Sequence, residues 1–265
     1  MDVFSPQPPS KAMQCAAHGD YIAHALPLPY FKQAVWSGCP ACAEARRLHA
    51  EHTQRIAEER ARQARLEASL NRAGIPKRFR ERNLENFAVE HAGQQRVLDF
   101  ARQYVADFEA QRRRGATVVF SGRPGTGKSH LAIAIAQAVM QHGATAFYVT
   151  AREMMLMLRA SWGGARAPSE LEVLRMLTDV GLLVVDEIGV QFNTDTERTQ
   201  FFSVIDGRYR EQMPSLLLTN LDRDGLSAFL GERSFDRLRE AGCWLAFDWE
   251  GWRARPHPPA RKENP

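Results

Sequence analysis

The sequence predicts an α/β protein: a mainly parallel five-stranded sheet, preceded by a small metal-binding module and a charged helix. Three observations carry that expectation. Five short apolar runs alternate with helical patterns through the C-terminal part of the chain. A glycine-rich loop joins the first of those runs to a helix. A Cys/His cluster stands apart near the N-terminus. Strands that alternate with helices need crossover connections, and crossovers give parallel strands covered on both faces.

Taken in order, residues 1–14 carry three prolines and little apolar content and are expected to be loose. Residues 15–73 hold the Cys/His cluster and then "AEARRLHAEHTQRIAEERARQARLEASL" (43–70). The latter has no Pro or Gly and alternates in charge sign, which predicts an exposed helix. Gly74 and Pro76 mark a break, and the boundary of the larger domain, 74–255, is placed there. A helix over 94–111 puts Val97, Ala101, Tyr104, Val105 and Phe108 on one face. "TVVFS" (117–121) reads as a buried strand, and the helix after the glycine loop ends at Gly143. "TAFYVT" is the second strand, and 151–178 reads as two helices broken at "GGARAP". "LLVVDE", "SLLLTN" and "CWLAFDW" supply the remaining strands. Residues 256–265 are expected to be a flexible tail.

The 265 residues are 44% hydrophobic, enough for one full core and a smaller appendage. The net charge of +4 tilts the choice of partner toward an acidic one such as nucleic acid. There is no apolar run of membrane-spanning length and no basic start followed by an apolar core, so a cytoplasmic location is expected.

"GRPGTGKS" fits G-x-x-x-x-G-K-[ST]. Glycines let backbone N–H groups curl around phosphates, Lys128 reaches the terminal phosphates, and Ser129 offers its hydroxyl to Mg²⁺. The helix start at Lys128 directs its positive end at the anion. The candidate nucleotide-binding residues are therefore Gly122, Arg123, Pro124, Gly125, Thr126, Gly127, Lys128, Ser129 and His130. "LLVVDE" delivers Asp186 and Glu187 to a strand's C-terminal end, where ligands bind in open α/β sheets. Asp186 is the second candidate Mg²⁺ ligand, and Glu187 is the candidate group that polarises the attacking water. Asn220 ends the next strand and can orient water or touch the γ-phosphate.

"CAAH" (15–18) and "CPAC" (39–42) make C-x₂-H…C-x₂-C, a spacing that suits a closed tetrahedral Zn²⁺ site of Cys15, His18, Cys39 and Cys42. His24, His49 and His52 are alternatives to His18. Gly19, Gly38 and Pro40 suit tight knuckles, and Tyr21 and Trp36 can supply a small core. So few apolar residues would not fold unaided, so the zinc is read as structural. Cys243, in an apolar run, reads as core. Residues 43–82 carry five excess positive charges, available to DNA phosphate, to an acidic protein surface, or simply to water.

The order of glycine loop, acidic pair, polar strand end and arginine resembles an AAA+ ATPase. "GIPKRFRERNLENF", "GRPGTGKSHLAIAIA", "LLVVDEIGVQ", "LLLTNLD" and "LGERSFDRL…WLAFDWEGWRAR" are similar to bacterial and phage helicase loaders of the DnaC type. They are less similar to the IstB transposition ATPases. Only 45 residues follow Asn220, too few for the usual helical lid, which also suits this group. The resemblance implies ATP hydrolysis, a replicative helicase as partner, single-stranded DNA binding, and self-association across the nucleotide. It implies that the helical pair at 151–178, with Arg152, Arg159 and Arg166, faces DNA, although Met154, Met155 and Met157 also suit a packing face. "LGERSFDRLRE" puts Arg233, Arg237 and Arg239 within seven residues, with no evident acidic cluster to match them. The resemblance makes Arg237 an arginine finger for a neighbour's ATP, Arg233 a subunit contact, and Arg253 a sensor of its own nucleotide. Alternatives are a transposition helper that binds duplex DNA, and an adaptor that uses ATP as a switch with little hydrolysis.

Overall fold

The computed structural model describes residues 9–26, 35–160, 168–190 and 194–252. Arg166 and Arg253 lie outside them, as do most of the expected loose termini and the side chain of Arg233. The chain forms two compact units, residues 1–67 and 68–265. The second begins before Gly74 because Leu70, Ala73 and Ile75 are buried in its core.

The first unit is built on a three-stranded antiparallel sheet of β1 (Ser10–Cys15), β2 (Gly19–Leu26) and β3 (Val35–Trp36). Ser10–Cys15 was expected to be loose up to Gln14. It is instead ordered by pairing from Ser10↔His24 to Cys15↔Gly19. Gly19 takes φ +76°, which lets the hairpin close directly after His18. α1 (Pro40–Arg72) starts earlier than expected. Pro40 stands at its first position, where a missing N–H costs nothing, so Cys42 belongs to the first helical turn rather than to a separate knuckle.

The second unit carries the predicted sheet. β4 (Thr117–Gly122), β5 (Ala146–Thr150), β6 (Leu182–Ile188), β7 (Ser215–Thr219) and β8 (Gly242–Phe247) run in the order β5-β6-β7-β4-β8. Every pairing is parallel. Alternate residues of the three inner strands go to opposite faces, as the twofold pleat requires. Val118, Phe120, Leu182, Val184, Leu216 and Leu218 join one core, where α2 (Ala92–Ala106) and α4 (Lys128–Gln141) pack. Val119, Leu183, Val185 and Leu217 join the other. There α5 (Ala151–Ala160), α6 (Glu170–Asp179), α7 (Asp195–Arg210), α8 (Arg223–Leu230) and α9 (Glu232–Ala241) pack. Each buried Leu or Val side chain adds about 1.5–3 kcal/mol of transfer free energy.

The helix expected over 94–111 is divided into α2 and α3 (Phe108–Arg113). Asp107 ends the first at φ −99°, ψ 18°, and Phe108 then turns into the core. Cys243 is exposed rather than core, because β8 is an edge strand and its first two residues are uncovered. Met154 and Met155 are fully packed, and Arg159 bonds Glu197 at 2.7 Å. Arg208, only 1% exposed, donates to the carbonyls of Leu177, Thr178 and Val180 and to Ser215 Oγ. It thereby satisfies the open C-terminal carbonyls of α6.

Candidate functional site

The C-terminal ends of β4, β6 and β7 converge on one edge of the sheet, and the chain there supplies the predicted groups. β4 passes into the glycine loop, and Gly127, at φ +96°, caps α4. A Cβ at Gly127 would lie 2.8 Å from the Phe87 ring, so glycine is required there on both conformational and steric grounds. Thr126 Oγ1 donates to Arg123 O at 2.8 Å and closes the loop on itself. Lys128 is buried, and its ammonium donates to Gly122 O (2.6 Å) and Arg123 O (2.8 Å). Burial pushes its pKa down to about 8, opposed in part by the Asp186 carboxylate.

Asp186 is 6% exposed and fully engaged. Its Oδ2 accepts from Ser129 Oγ (2.6 Å) and from the Tyr148 hydroxyl (2.8 Å), and its Oδ1 from the Glu187 N–H (2.7 Å). Tyr148 thus belongs to the site although sequence reasoning passed over it; the only signal was a tyrosine within the strand "AFYVT". Burial and the adjacent Asp186 raise its phenol far above the usual range. Glu187 is exposed and holds φ +60°, where β6 breaks register with β7 between Val185 and Ile188. The bulge lifts Glu187 out of the ladder, at a strain of order 1–3 kcal/mol. On β7, Thr219 is buried and bonds Ile188 O at 2.8 Å, while Asn220 stands exposed just beyond the strand end.

The structure therefore brings Lys128, Ser129 and Asp186 together and sets Glu187 and Asn220 at the ends of adjacent strands. His130 borders the loop; its Nε2 lies 3.0 Å from Asn83 O and its ring meets Phe87 edge-on. The last strand returns beside the loop as well. Trp249 Nε1 donates to Thr126 O at 3.0 Å, and Trp252 N to Gly125 O at 2.9 Å. Arg237 is held elsewhere. It pairs with Asp206 of α7 at 3.6 Å and lies 4.5 Å over the Tyr209 ring. The expectation that it lacks a local acidic match is thus corrected. Arg239 likewise has Asp236 at 3.6 Å, one helical turn away.

The four predicted metal ligands converge: Cys15 and Cys42 Sγ are 3.5 Å apart, and His18 Nδ1 lies 3.6, 3.8 and 3.2 Å from the sulfurs of Cys15, Cys39 and Cys42. All four ligand atoms fall within 4.8 Å of one another. A tetrahedron with arms of about 2.3 Å has edges of about 3.8 Å, so this donor set fits zinc without rearrangement. His18, rather than His24, His49 or His52, is the fourth member, because the hairpin turn carries it back to Cys15.

The IstB-like ATP-binding protein family matches residues 45–236, well over half of the chain. The chain belongs to that family. The match leaves out the Cys/His cluster and stops one residue before Arg237. The chain is 35% identical over 199 residues to the replicative helicase loader DnaC of Escherichia coli K12, covering 75% of this chain and 80% of that one. It is 35% identical over 189 residues to the DnaC of Buchnera aphidicola from Schizaphis graminum, covering 71% and 76%. Among solved structures, the crystal structure of the DnaC helicase loader superposes with a TM-score of 0.58 at 23% identity, over 64% of this chain and 99% of that chain. The crystal structure of DnaI gives 0.56 at 20% identity, over 65% and 94%. These likenesses place the family member's fold in the AAA+ class, as its sequence resemblance implied. Among the described residues, no helix is long and apolar enough to cross a membrane.

Proposed function

We propose that this family member is an ATP-hydrolysing loader that engages a replicative ring helicase and single-stranded DNA and delivers one to the other. The observation that carries the reading is the contact set Lys128–loop, Ser129–Asp186 and exposed Glu187, found in a chain with curated relatives named replicative helicase loaders. In this reading residues Gly122 to His130 hold the nucleotide. Lys128 gives up its two loop carbonyls for phosphate oxygens, and the helix start of α4 adds its N–H groups. Ser129 and Asp186 would hold Mg²⁺, which when bound neutralises charge on the β- and γ-phosphates. Glu187 accepts a proton from the attacking water, and Asn220 orients that water. Arg237 serves a neighbouring subunit's nucleotide. For that it must leave Asp206, and a pair at this exposure holds it by only about 0–1 kcal/mol.

The Cys15, His18, Cys39 and Cys42 set is read as the structural zinc centre of the docking head. In this reading the first unit docks the partner and the second, which begins at Ala68 rather than at Gly74, is the ATPase. The test pairs the purified chain with a replicative helicase and single-stranded DNA. ATP-dependent transfer of the helicase onto DNA, lost in Glu187→Gln while nucleotide binding is kept, supports the loader. A strong preference for duplex DNA with no helicase contact overturns it in favour of a transposition helper, and normal turnover in Glu187→Gln removes that residue from its role.

A further inference from the structure

We propose that the segment Trp249 to Trp252 holds the phosphate loop in its anion-binding form, with Trp249 as a positioning residue. Two loop carbonyls are fastened from the same side. The buried indole N–H of Trp249 bonds Thr126 O at 3.0 Å, and the backbone N–H of Trp252 bonds Gly125 O at 2.9 Å. Between them Gly251 presses directly on the loop: a Cβ there would stand 2.4 Å from Pro124 O and 3.3 Å from Gly125.

The consequence follows from the peptide plane. Among the described residues no peptide bond is cis, and in a trans peptide the C=O and the following N–H point in opposite directions. Drawing the carbonyls of Gly125 and Thr126 toward the tryptophans turns the N–H groups of Thr126 and Gly127 the other way, into the hollow of the loop. Consecutive N–H groups aimed into one hollow make an anion nest. The donor that does this is itself fixed. The Trp249 ring is 9% exposed, packs 5.0 Å from Phe247 and meets His91 edge-on at 5.3 Å. Phe247 stacks in turn on Phe120 of β4, the strand that leads into the loop. One aromatic column thus anchors both the start of the loop and the clasp on its far side. A loop so held has little reorganisation left to do when phosphate arrives, and preorganisation of donors is what raises affinity.

The inference rests on the nucleotide reading, and the experiment separates the two. Full-length zinc-loaded protein, wild type and Trp249→Phe, is titrated with ATP, with inorganic tripolyphosphate and with adenosine, and its melting temperature is measured without ligand. Phenylalanine keeps a ring in the aromatic column and removes the N–H, together with part of the indole's packing area, which the adenosine arm and the melting temperature read. The expected result is a loss of roughly three- to tenfold in affinity for ATP and tripolyphosphate, with adenosine unchanged within about twofold. Gly251→Ala, which pushes the clasp off the loop, should show the same split, and it carries the test if Trp249→Phe does not fold. Equal losses for adenosine and ATP would mean that Trp249 acts only through packing and would overturn the proposal. Unchanged ATP affinity in a wild-type-like fold would overturn it while leaving the nucleotide reading intact. A wild-type chain that binds neither ATP nor tripolyphosphate overturns both.

Discussion

Lys128 gives the most demanding forecast. Its ammonium is buried against the loop, and its pKa lies at about 8 instead of 10.5. A lysine depressed in this way binds fewer protons folded than unfolded between those values. The cost of burying its charge is therefore present in full below pH 8 and disappears as pH rises toward 10.5, so the ligand-free chain gains stability across that window. Nucleotide binding runs the other way, because the phosphates need the ammonium. At pH 7 about nine-tenths of the free protein carries the charge, and at pH 9 about one-tenth does, since each pH unit beyond the pKa is tenfold. ATP affinity should therefore fall about tenfold from pH 7 to pH 9, about 1.4 kcal/mol, with uptake of a proton on binding. Phosphate second ionisations near pH 6 are already complete, so they do not mimic the effect. Calorimetric titration in two buffers of different ionisation enthalpy reads both quantities. Lys128→Arg should remain flat across the range. A flat wild-type profile, or a slope that persists in Lys128→Arg, would refute the argument that burial holds the pKa of this lysine at about 8.

Cys39→Ser should lose its stoichiometric zinc by elemental analysis and lose partner binding while ATP binding persists, because the second unit has its own cores; retained zinc would mean a different ligand set. Arg237→Ala should bind ATP normally and hydrolyse it poorly, and mixing with Lys128→Ala should recover part of the turnover. A dead mixture of co-assembling variants would refute a role across subunits. Tyr148→Phe removes one of the donors that orient Asp186, so the Mg²⁺ concentration for half-maximal turnover should rise on the order of tenfold with metal-free nucleotide affinity unchanged; an unaltered Mg²⁺ profile would reduce Tyr148 to packing.

The buried strands were legible because their chemistry is local. "TVVFS", "LLVVDE" and "SLLLTN" are buried on both faces, and a continuous apolar run says so without any partner. The loop and the acidic pair were legible for the same reason: their spacing is set within a few residues. What escaped depends on chain brought from far away. Tyr148 and Asp186 are 38 residues apart, and Trp249 and Thr126 are 123 apart. No periodicity links such pairs. The hairpin of the first unit escaped because residues 10–26 expose most of their side chains, which leaves little hydrophobic alternation to read. The lack of an acidic match for Arg237 was misread in the opposite direction. Asp206 comes from another helix, 31 positions earlier, so a cationic stretch that looked unmatched in sequence is matched in space.

The backbone at Glu187 has an implication for anyone who would stabilise this protein. Its φ of +60° suits glycine or asparagine better than a glutamate. A library selected for heat resistance alone would gain by relaxing that bend, by up to roughly 1 kcal/mol for a single Glu187→Gly change. The winner would be a sturdier, inert chain. Thermal selection on this scaffold therefore has to be coupled to turnover, since one of the positions where it offers an improvement is the one assigned to proton removal.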